Sequence, residues 1–105
     1  MSELIIPLRG RVYEADLGQG RKPWLVVSNN ARNKAIDDVL VARITTTRRD
    51  LPSWIPLGPN DPLAGFVVCD DLSPMFRDEI QRDMGALSLA TMIEVGKGLA
   101  RALAL

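Results

Sequence analysis

The period of the apolar residues changes near the end of this chain, and that change limits the folds open to it. In "VYEADL" (12–17) apolar and polar residues alternate, with Tyr13, Ala15 and Leu17 on one side, as in a half-buried strand. From Ser88 onward the apolar residues recur at the three- and four-residue spacing of an amphipathic helix. The pattern therefore predicts strands through most of the chain and one helix at its end.

Four further segments have strand-like composition and lie between turn-forming residues. They are "PWLVVS" (23–28), "VLVARITT" (39–46), "SWIPL" (53–57) and "FVVCDDL" (66–72). The first is apolar on both faces and opens with Pro23, which a central strand accepts at its first position, whereas Pro56 favours a sheet edge. We expect a polar connection over 29–38, and the stretch 73–83 fits either a helical turn or an irregular crossing.

The terminal helix is predicted with Ser88 as its N-cap. Its apolar positions are Leu89, Met92, Ile93, Gly96, Leu99, Ala100 and Leu103. Gly96 and Gly98 each cost about 1 kcal/mol of helix propensity relative to alanine. That cost is acceptable where another backbone packs closely against the helix.

At 105 residues the chain has the length of one domain, taken here as 1–105. Short strands separated by turns and followed by one helix predict a mainly β fold, in the form of a small, strongly bent barrel with the helix across one end. On pattern alone, a barrel of the OB type fits equally well.

The composition excludes several kinds of chemistry. The chain has no histidine, so a His-based acid–base pair, a Ser–His–Asp triad and a His-ligated metal site are impossible. We expect no metal ion and no cofactor. Cys69 is the only cysteine, which excludes an intramolecular disulfide and fits a reducing compartment, and its apolar setting predicts a buried structural thiol. No apolar run approaches the roughly 18 residues of a membrane span, so we expect a cytoplasmic protein.

The charges of the chain are balanced overall but unevenly distributed. Thirteen basic and thirteen acidic side chains give no net charge, yet residues 1–49 hold nine basic and five acidic residues and residues 50–105 hold four and eight. The folded domain can therefore present one basic face, although chance and ordinary solvated surface give the same count.

The basic residues stand where a phosphate site could form. Arg21 and Lys22 precede Pro23, and Arg48 and Arg49 lie in a loop. If the more apolar set of 39–46 faces the core, Arg43 and Thr45 project from the opposite face.

Cations and a hydroxyl that converge can stabilise the charge of a phosphodiester transition state. In RNA the substrate's own 2′-OH supplies the nucleophile, and a partly desolvated lysine crowded by arginines would have a lowered pKa and could act as the base. The alternative is that Arg21 and Lys22 are solvated turn residues and Thr45 is an ordinary strand residue.

The segments "RGRVYEADLGQGRKPWLVVSNNARN", "VLVARITT" and "GFVVCDDL", followed by a terminal helix, resemble the MazF/PemK family of toxin endoribonucleases from about Leu8 to Leu105. The resemblance implies an SH3-like β-barrel and a homodimer. It also implies metal-independent cleavage of single-stranded RNA at short sequences, and inhibition by a cognate antitoxin whose extended tail covers the RNA groove.

The resemblance also assigns site residues. The family's catalytic threonine falls on Thr45, and its catalytic arginine, which precedes the proline, is replaced here by Lys22 with Arg21 one residue earlier. Either Lys22 transfers the proton while Arg21 grips the phosphate, or Arg21 takes the family role. The expected RNA contacts are Gln19, Arg43, Arg48, Arg49 and Asp71. Attack by the 2′-OH would leave a 2′,3′-cyclic phosphate and a 5′-OH.

Two other functions are compatible with such a barrel. One is a toxin of the related CcdB group, which poisons DNA gyrase and relies on an aromatic C-terminus, whereas this chain ends in "RALAL". The other is an RNA-binding or antitoxin-sequestering barrel without catalysis, which the lysine at position 22 would permit.

Overall fold

The computed structural model describes residues 5–105 and, within them, places six strands and two α-helices. In chain order they are β1 (Arg11–Asp16), β2 (Arg21–Val26), α1 (Asn30–Ala35), β3 (Asp38–Thr45), β4 (Trp54–Pro56), β5 (Phe66–Phe76), β6 (Ile80–Ala86) and α2 (Leu89–Leu103). All strand pairs are antiparallel, and the sheet order is β4-β5-β3-β2-β1-β6. The predicted mainly β fold with a C-terminal helix is confirmed.

The sheet is bent but open. Its two edges are β4 and β6, and within residues 5–105 no ladder joins them, so the strongly bent barrel predicted from the sequence is built from a sheet that is not closed. The register shifts between β3 and β5 after Ala42, and again at two places between β1 and β6. Such irregularities bend a strand and increase its twist, which curves the sheet without closing it.

Both faces of the sheet are buried. The core on one face includes Leu25 and Ala42 and is closed by Val95 of α2. The core on the other face is built from Tyr13, Ala15, Trp24, Val26, Val39, Val41 and Met75. In β3, Ala42 and Ile44 pack into the first core while Arg43 and Thr45 lie on the other side, as the strand pattern predicted.

The terminal helix α2 begins as predicted, because the Ser88 hydroxyl accepts a hydrogen bond from the Thr91 amide at 3.2 Å. It packs on β4 and β5, and a Cβ at Gly98 would lie 2.8 Å from Cys69 Sγ and 3.0 Å from Ile55 Cγ1. Close packing therefore explains Gly98. It does not explain Gly96, where a Cβ would meet nothing within 4 Å.

Cys69 is a buried structural thiol, as predicted. Its side chain belongs to the core under α2, and burial raises its pKa to about 11. A thiol with so high a pKa is a poor nucleophile at neutral pH.

The connection 29–38 contains a helix that the sequence analysis missed. Asn29 caps α1 by accepting a hydrogen bond from the Ala31 amide at 2.8 Å. Asn33 is fully buried, accepts from the Ser28 hydroxyl at 2.6 Å and donates to the Ser28 carbonyl at 3.1 Å. This short helix is held by polar contacts, so it leaves no apolar period in the sequence.

The undecided stretch 73–83 proves to be mostly strand. It completes β5, passes through a short 3-10 turn at Arg77–Glu79 and enters β6. Arg77 Nη2 donates to the carbonyls of Asn33 at 2.7 Å and Ile36 at 3.0 Å, which ties the turn to the end of α1. These contacts join residues more than 40 positions apart, and local pattern cannot show them.

Among residues 5–105 we find no helix with the length and apolar character needed to cross a bilayer.

Candidate phosphate site

Lys22 lies inside a strand rather than at its entrance. β2 starts at Arg21, so Pro23 is its third residue and not its first as predicted. Pro23 pairs with Glu14 of β1, and the ladder to β3 begins only at Trp24. Pro23 has no amide hydrogen to donate, and the absence of ladder pairing to β3 at this position leaves the two strands free to part here.

A cavity of about 380 Å³ opens where β2 and β3 part. Its wall includes Gln19 from the β1–β2 turn, Lys22 and Trp24 from β2, Arg43, Thr45 and Thr46 from the end of β3, and Leu63 and Ala64 from the loop before β5. The sequence analysis had named four of these: Gln19, Lys22, Arg43 and Thr45.

The register of the sheet explains why Lys22 and Thr45 share this wall. Trp24 pairs with Arg43 at the end of the β2–β3 ladder, and Lys22 and Thr45 each lie two residues beyond that pair on their own strands. Positions two apart point to the same face of a strand. Lys22 and Thr45 therefore both line the cavity that opens where the two strands part, so both can approach one phosphate in it.

Lys22 is exposed, where partial desolvation had been expected. Among residues 5–105 no carboxylate lies within 4 Å of its ammonium group. Its three N–H donors are thus free of ion pairing within that part of the chain and can turn toward an anion in the cavity.

The hydroxyl group of Thr45 is held in place by one hydrogen bond. Its Oγ1 accepts a hydrogen bond from the Thr47 amide at 3.2 Å. A hydroxyl that accepts one hydrogen bond still has its own hydrogen to donate. Thr45 can therefore present that hydrogen to a phosphate oxygen.

Arg43 is held in place by Asp71. Its Nε donates to Asp71 Oδ2 at 2.6 Å, and about a third of the arginine side chain remains exposed. An ion pair this exposed contributes little to stability, but it restricts where the guanidinium can point. Asp71, for which an RNA contact is predicted, lies against an arginine of the cavity wall, and about half of its side chain remains exposed.

Arg21 does not join Lys22 in the cavity wall. As neighbours in β2 the two side chains point to opposite faces of the sheet, and Arg21 Nη1 lies 3.5 Å from Glu14 Oε1. Glu14 is also approached by Arg82 Nη2 at 3.4 Å. The expected convergence of Arg21 with Lys22 and Thr45 is therefore not found.

Arg48 and Arg49 also lie outside the cavity wall. Arg48 Nε is 3.8 Å from Asp50 Oδ1, with both side chains largely exposed. The guanidinium carbon of Arg49 is 5.6 Å from the centre of the Trp54 ring.

Of the wall residues named above, four were not predicted as site residues: Trp24, Thr46, Leu63 and Ala64. Trp24 is 6% exposed, and its indole Nε1 is buried without a hydrogen-bond partner among the described residues 5–105. In the sequence it stands in an apolar run that predicts core, while Leu63 and Ala64 lie in a turn-rich connector. Only the fold of that connector over the cavity reveals the last two.

The chain matches known toxins over nearly its whole length. A profile of PemK-like, MazF-like toxins of type II toxin–antitoxin systems matches residues 8–103. Endoribonuclease MazF4 of Mycobacterium tuberculosis (strain ATCC 25618 / H37Rv) is 50% identical over 99 residues, 94% of each chain. Endoribonuclease MazF1 of Mycobacterium bovis has the same identity and coverage.

Solved structures agree with this relationship. An endoribonuclease in complex with its cognate antitoxin, from a mycobacterial species, superposes with a TM-score of 0.93 at 50% identity, over 94% of this chain and 96% of that one. The fold also matches a MazE–MazF structure from Deinococcus radiodurans, with a TM-score of 0.83 at 20% identity over 96% and 98% of the two chains. The matched fold, the length of the match and the 50% identity together show that this chain belongs to the PemK-like, MazF-like toxin family of type II toxin–antitoxin systems.

Proposed function

We propose that this chain is an endoribonuclease toxin that cleaves single-stranded RNA without a metal ion and is neutralised by a cognate antitoxin. The observation that carries the proposal is the cavity in which Lys22, Arg43 and Thr45 stand together. Two cations and a hydroxyl in one cavity suit a phosphodiester, whose transition state gathers negative charge. The relatives that are 50% identical are endoribonucleases by name.

The reaction requires no nucleophile from the protein. The substrate's 2′-oxygen attacks the adjacent phosphorus, the bond from phosphorus to the 5′-oxygen breaks, and the products are a 2′,3′-cyclic phosphate and a 5′-OH. One proton leaves the 2′-OH and one is delivered to the 5′-oxygen. The neutral amine form of a lysine placed near both oxygens can take up the first proton, and the ammonium so formed can deliver the second, which leaves the lysine unchanged overall. Lys22 is the residue in the cavity wall suited to this role.

The other polar groups of the cavity act on the phosphate. Thr45 donates its hydroxyl hydrogen to a non-bridging oxygen, and Arg43, oriented by Asp71, balances the charge that builds up there. Gln19 contacts the RNA from the turn at the rim. Arg48 and Arg49 lie beyond the cavity wall and contact flanking nucleotides, while Arg21 contributes to attraction of the polyanion and not to proton transfer.

The assembly we propose has two kinds of partner. One solved structure that matches this fold holds an endoribonuclease with its cognate antitoxin, and three others hold MazE with MazF, which supports an antitoxin as partner here. A second copy of the chain is supported by the apolar side chains left exposed on α2, where Leu89, Ile93 and Leu103 are 78%, 53% and 53% exposed. As one toxin domain acting on RNA, the protein is assigned to the cytoplasm.

The chemistry is tested with purified protein, a mixed RNA pool and EDTA. We expect cleavage to persist in EDTA, the new 5′ ends to accept phosphate from polynucleotide kinase without prior phosphatase treatment, and a single 2′-deoxy substitution at a mapped cut to abolish cutting there. New 5′-phosphate ends, or loss of activity with EDTA, would contradict the mechanism. Intact RNA together with inhibited gyrase supercoiling would favour the gyrase-poisoning alternative.

The role of Thr45 is tested by Thr45→Ala against Thr47→Ala. Both variants remove a hydroxyl from the same turn, but Thr47 contributes its backbone amide to Thr45 and alanine retains that amide. Loss of a transition-state donor costs about 10²- to 10³-fold in rate. We expect a loss of this order for Thr45→Ala and little change for Thr47→Ala, and equal rates for the two variants would remove Thr45 from the mechanism.

A further inference from the structure

Trp54 stands on the same face of the sheet as the phosphate cavity. Trp54 of β4 pairs with Val68 of β5, Val68 pairs with Arg43 of β3, and Arg43 pairs with Trp24 of β2. Paired residues point to the same side of a sheet, so these four side chains form one row across it. Two strand spacings, about 10 Å, separate Trp54 from the strand that carries Thr45. That distance is within reach of the base of a nucleotide next to the scissile phosphate.

Two guanidinium groups lie near the Trp54 ring. The guanidinium carbon of Arg43 is 6.0 Å from the ring centre and that of Arg49 is 5.6 Å from it. Arg43 also lines the phosphate cavity and is held by Asp71. Arg49 has no carboxylate within 4 Å among residues 5–105, so within that part of the chain no ion pair fixes it against the ring.

A partly exposed indole beside a guanidinium that no ion pair holds, within residues 5–105, is suited to bind a flat aromatic group. Every nucleobase has a π face that stacks on an aromatic side chain, and arginine stacks on such faces as well. The other tryptophan of the chain cannot serve in this way, because Trp24 is 6% exposed and packed within the core.

We propose that Trp54 is a base-stacking platform, on which the nucleobase of a nucleotide flanking the scissile phosphate lies between the indole and the guanidinium of Arg49. Arg43 then connects the two sites, because its guanidinium carbon lies 6.0 Å from the indole centre and the residue lines the phosphate cavity. The inference deepens the proposed nuclease function, on which it rests for the identity of the ligand. It assigns to Trp54 a part of the preference for single-stranded RNA, since a base paired in a duplex cannot be splayed onto the ring.

The inference is tested by binding, with DNA octamers that lack the 2′-OH and cannot be cleaved. The affinity for an octamer of deoxyadenosine is compared with that for an abasic octamer, which keeps every phosphate and has no bases. We expect the parent protein to bind the base-bearing octamer at least tenfold more tightly. In Trp54→Leu that ratio should fall to within about twofold of one, whereas Trp54→Phe, which keeps an aromatic face, should retain most of it.

The abasic octamer distinguishes a lost base site from a damaged fold. Trp54→Leu should bind it as the parent does, because the phosphate contacts remain. If Trp54→Leu fails to fold, the parent protein and Trp54→Phe are compared by tryptophan fluorescence. The base-bearing octamer should quench the emission of the parent, and the abasic octamer should not. The quenching by the base-bearing octamer should disappear in Trp54→Phe.

An equal affinity of the parent for both octamers, or a ratio that Trp54→Leu leaves unchanged, would overturn the inference. Because the binding measurement contains no cleavage, it separates the two proposals. A ratio that depends on Trp54 in a protein that cuts no RNA would leave the base site standing and remove the nuclease function. Cleavage of RNA together with an affinity ratio that Trp54→Leu leaves unchanged would support the nuclease function and remove the base site.

Discussion

Gly65 packs so closely on Thr45 that a Cβ at position 65 would lie 2.5 Å from the Thr45 carbonyl oxygen. The backbone of Gly65 also has φ +129°, a conformation that other residues rarely adopt. Gly65 follows Leu63 and Ala64 of the cavity wall. This contact, together with the pairing of Thr45 and Phe66 in the β3–β5 ladder, holds two sides of the cavity close together.

We expect Gly65→Ala to destabilise the fold by more than 2 kcal/mol and to displace Thr45, because a backbone carbonyl cannot give way as a flexible side chain can. Gly18→Ala is the matched control: φ there is +110°, and a Cβ would meet nothing within 4 Å. It should show the conformational cost alone, about 1–2 kcal/mol. Urea unfolding of both variants gives the comparison, and equal losses would show that the contact with Thr45 is unimportant.

The two glycines of α2 should respond to alanine in opposite directions. At Gly96 a Cβ meets open space, so Gly96→Ala should stabilise the protein by about 1 kcal/mol through helix propensity. At Gly98 the added methyl would press on Cys69 and Ile55, and overpacking of this kind costs about 1–3 kcal/mol. Thermal unfolding of the two variants tests this prediction. If both substitutions raised the melting temperature, the side chains under α2 would have to move aside for the added methyl group at little cost.

Asp61 should make the stability of the fold depend on acid pH. Its carboxylate accepts hydrogen bonds from the Gly58 amide at 2.6 Å, the Ser88 amide at 2.7 Å and the Thr91 hydroxyl at 2.6 Å. Burial raises the pKa of Asp61, but the hydrogen bonds from Thr91, Ser88 and Gly58 together outweigh it, so the pKa lies below its ordinary value. A lowered pKa in the folded state means stabilisation above the unfolded pKa of about 3.9, lost as the pH falls through the folded value.

We therefore expect Asp61→Asn to lower the free energy of unfolding by about 2 kcal/mol at pH 7, and the difference from the parent to shrink below about pH 4. The measurement is urea unfolding at both pH values. Asp50→Asn is the control, since the Asp50 side chain is 93% exposed and should change stability little at either pH. A difference from the parent that stays constant with pH would show that the charge of Asp61 is not what anchors the loop to α2.

Local pattern in the sequence predicted the strands that carry the cavity. Alternation along 39–46 placed Arg43 and Thr45 on the face opposite Ala42 and Ile44, and the structure agrees. Ser88 was correctly predicted as the N-cap of α2, because capping involves residues that are close together in the sequence. Resemblance to a family added the roles of individual residues, which pattern alone does not give.

The parts that sequence could not predict depend on distant contacts. α1 is held by the buried Asn33 and by Arg77 of the 3-10 turn after β5, and neither contact produces a periodic pattern in the sequence. We expected Arg21 and Lys22 to act as one cationic pair. However, β2 begins at Arg21, two residues earlier than the apolar run indicates, so both residues belong to the strand. Neighbouring side chains in a strand point to opposite faces of the sheet, which separates the two. The place of Leu63 and Ala64 in the wall follows from how the loop folds back toward Gly65 and β3.

The separation of Lys22 from Arg21 gives the most direct test of the phosphate site. Lys22→Met and Arg21→Met each remove one positive charge from adjacent positions, so their effects on long-range attraction of RNA should be similar. The measurement is the single-turnover cleavage rate of one RNA at saturating protein. We expect Lys22→Met to slow cleavage by at least about 100-fold, as loss of a proton-transfer group does, and Arg21→Met to stay within about threefold of the parent. A loss in Arg21→Met as large as that in Lys22→Met, or an undiminished rate in Lys22→Met, would contradict the assignment of this cavity as the catalytic site.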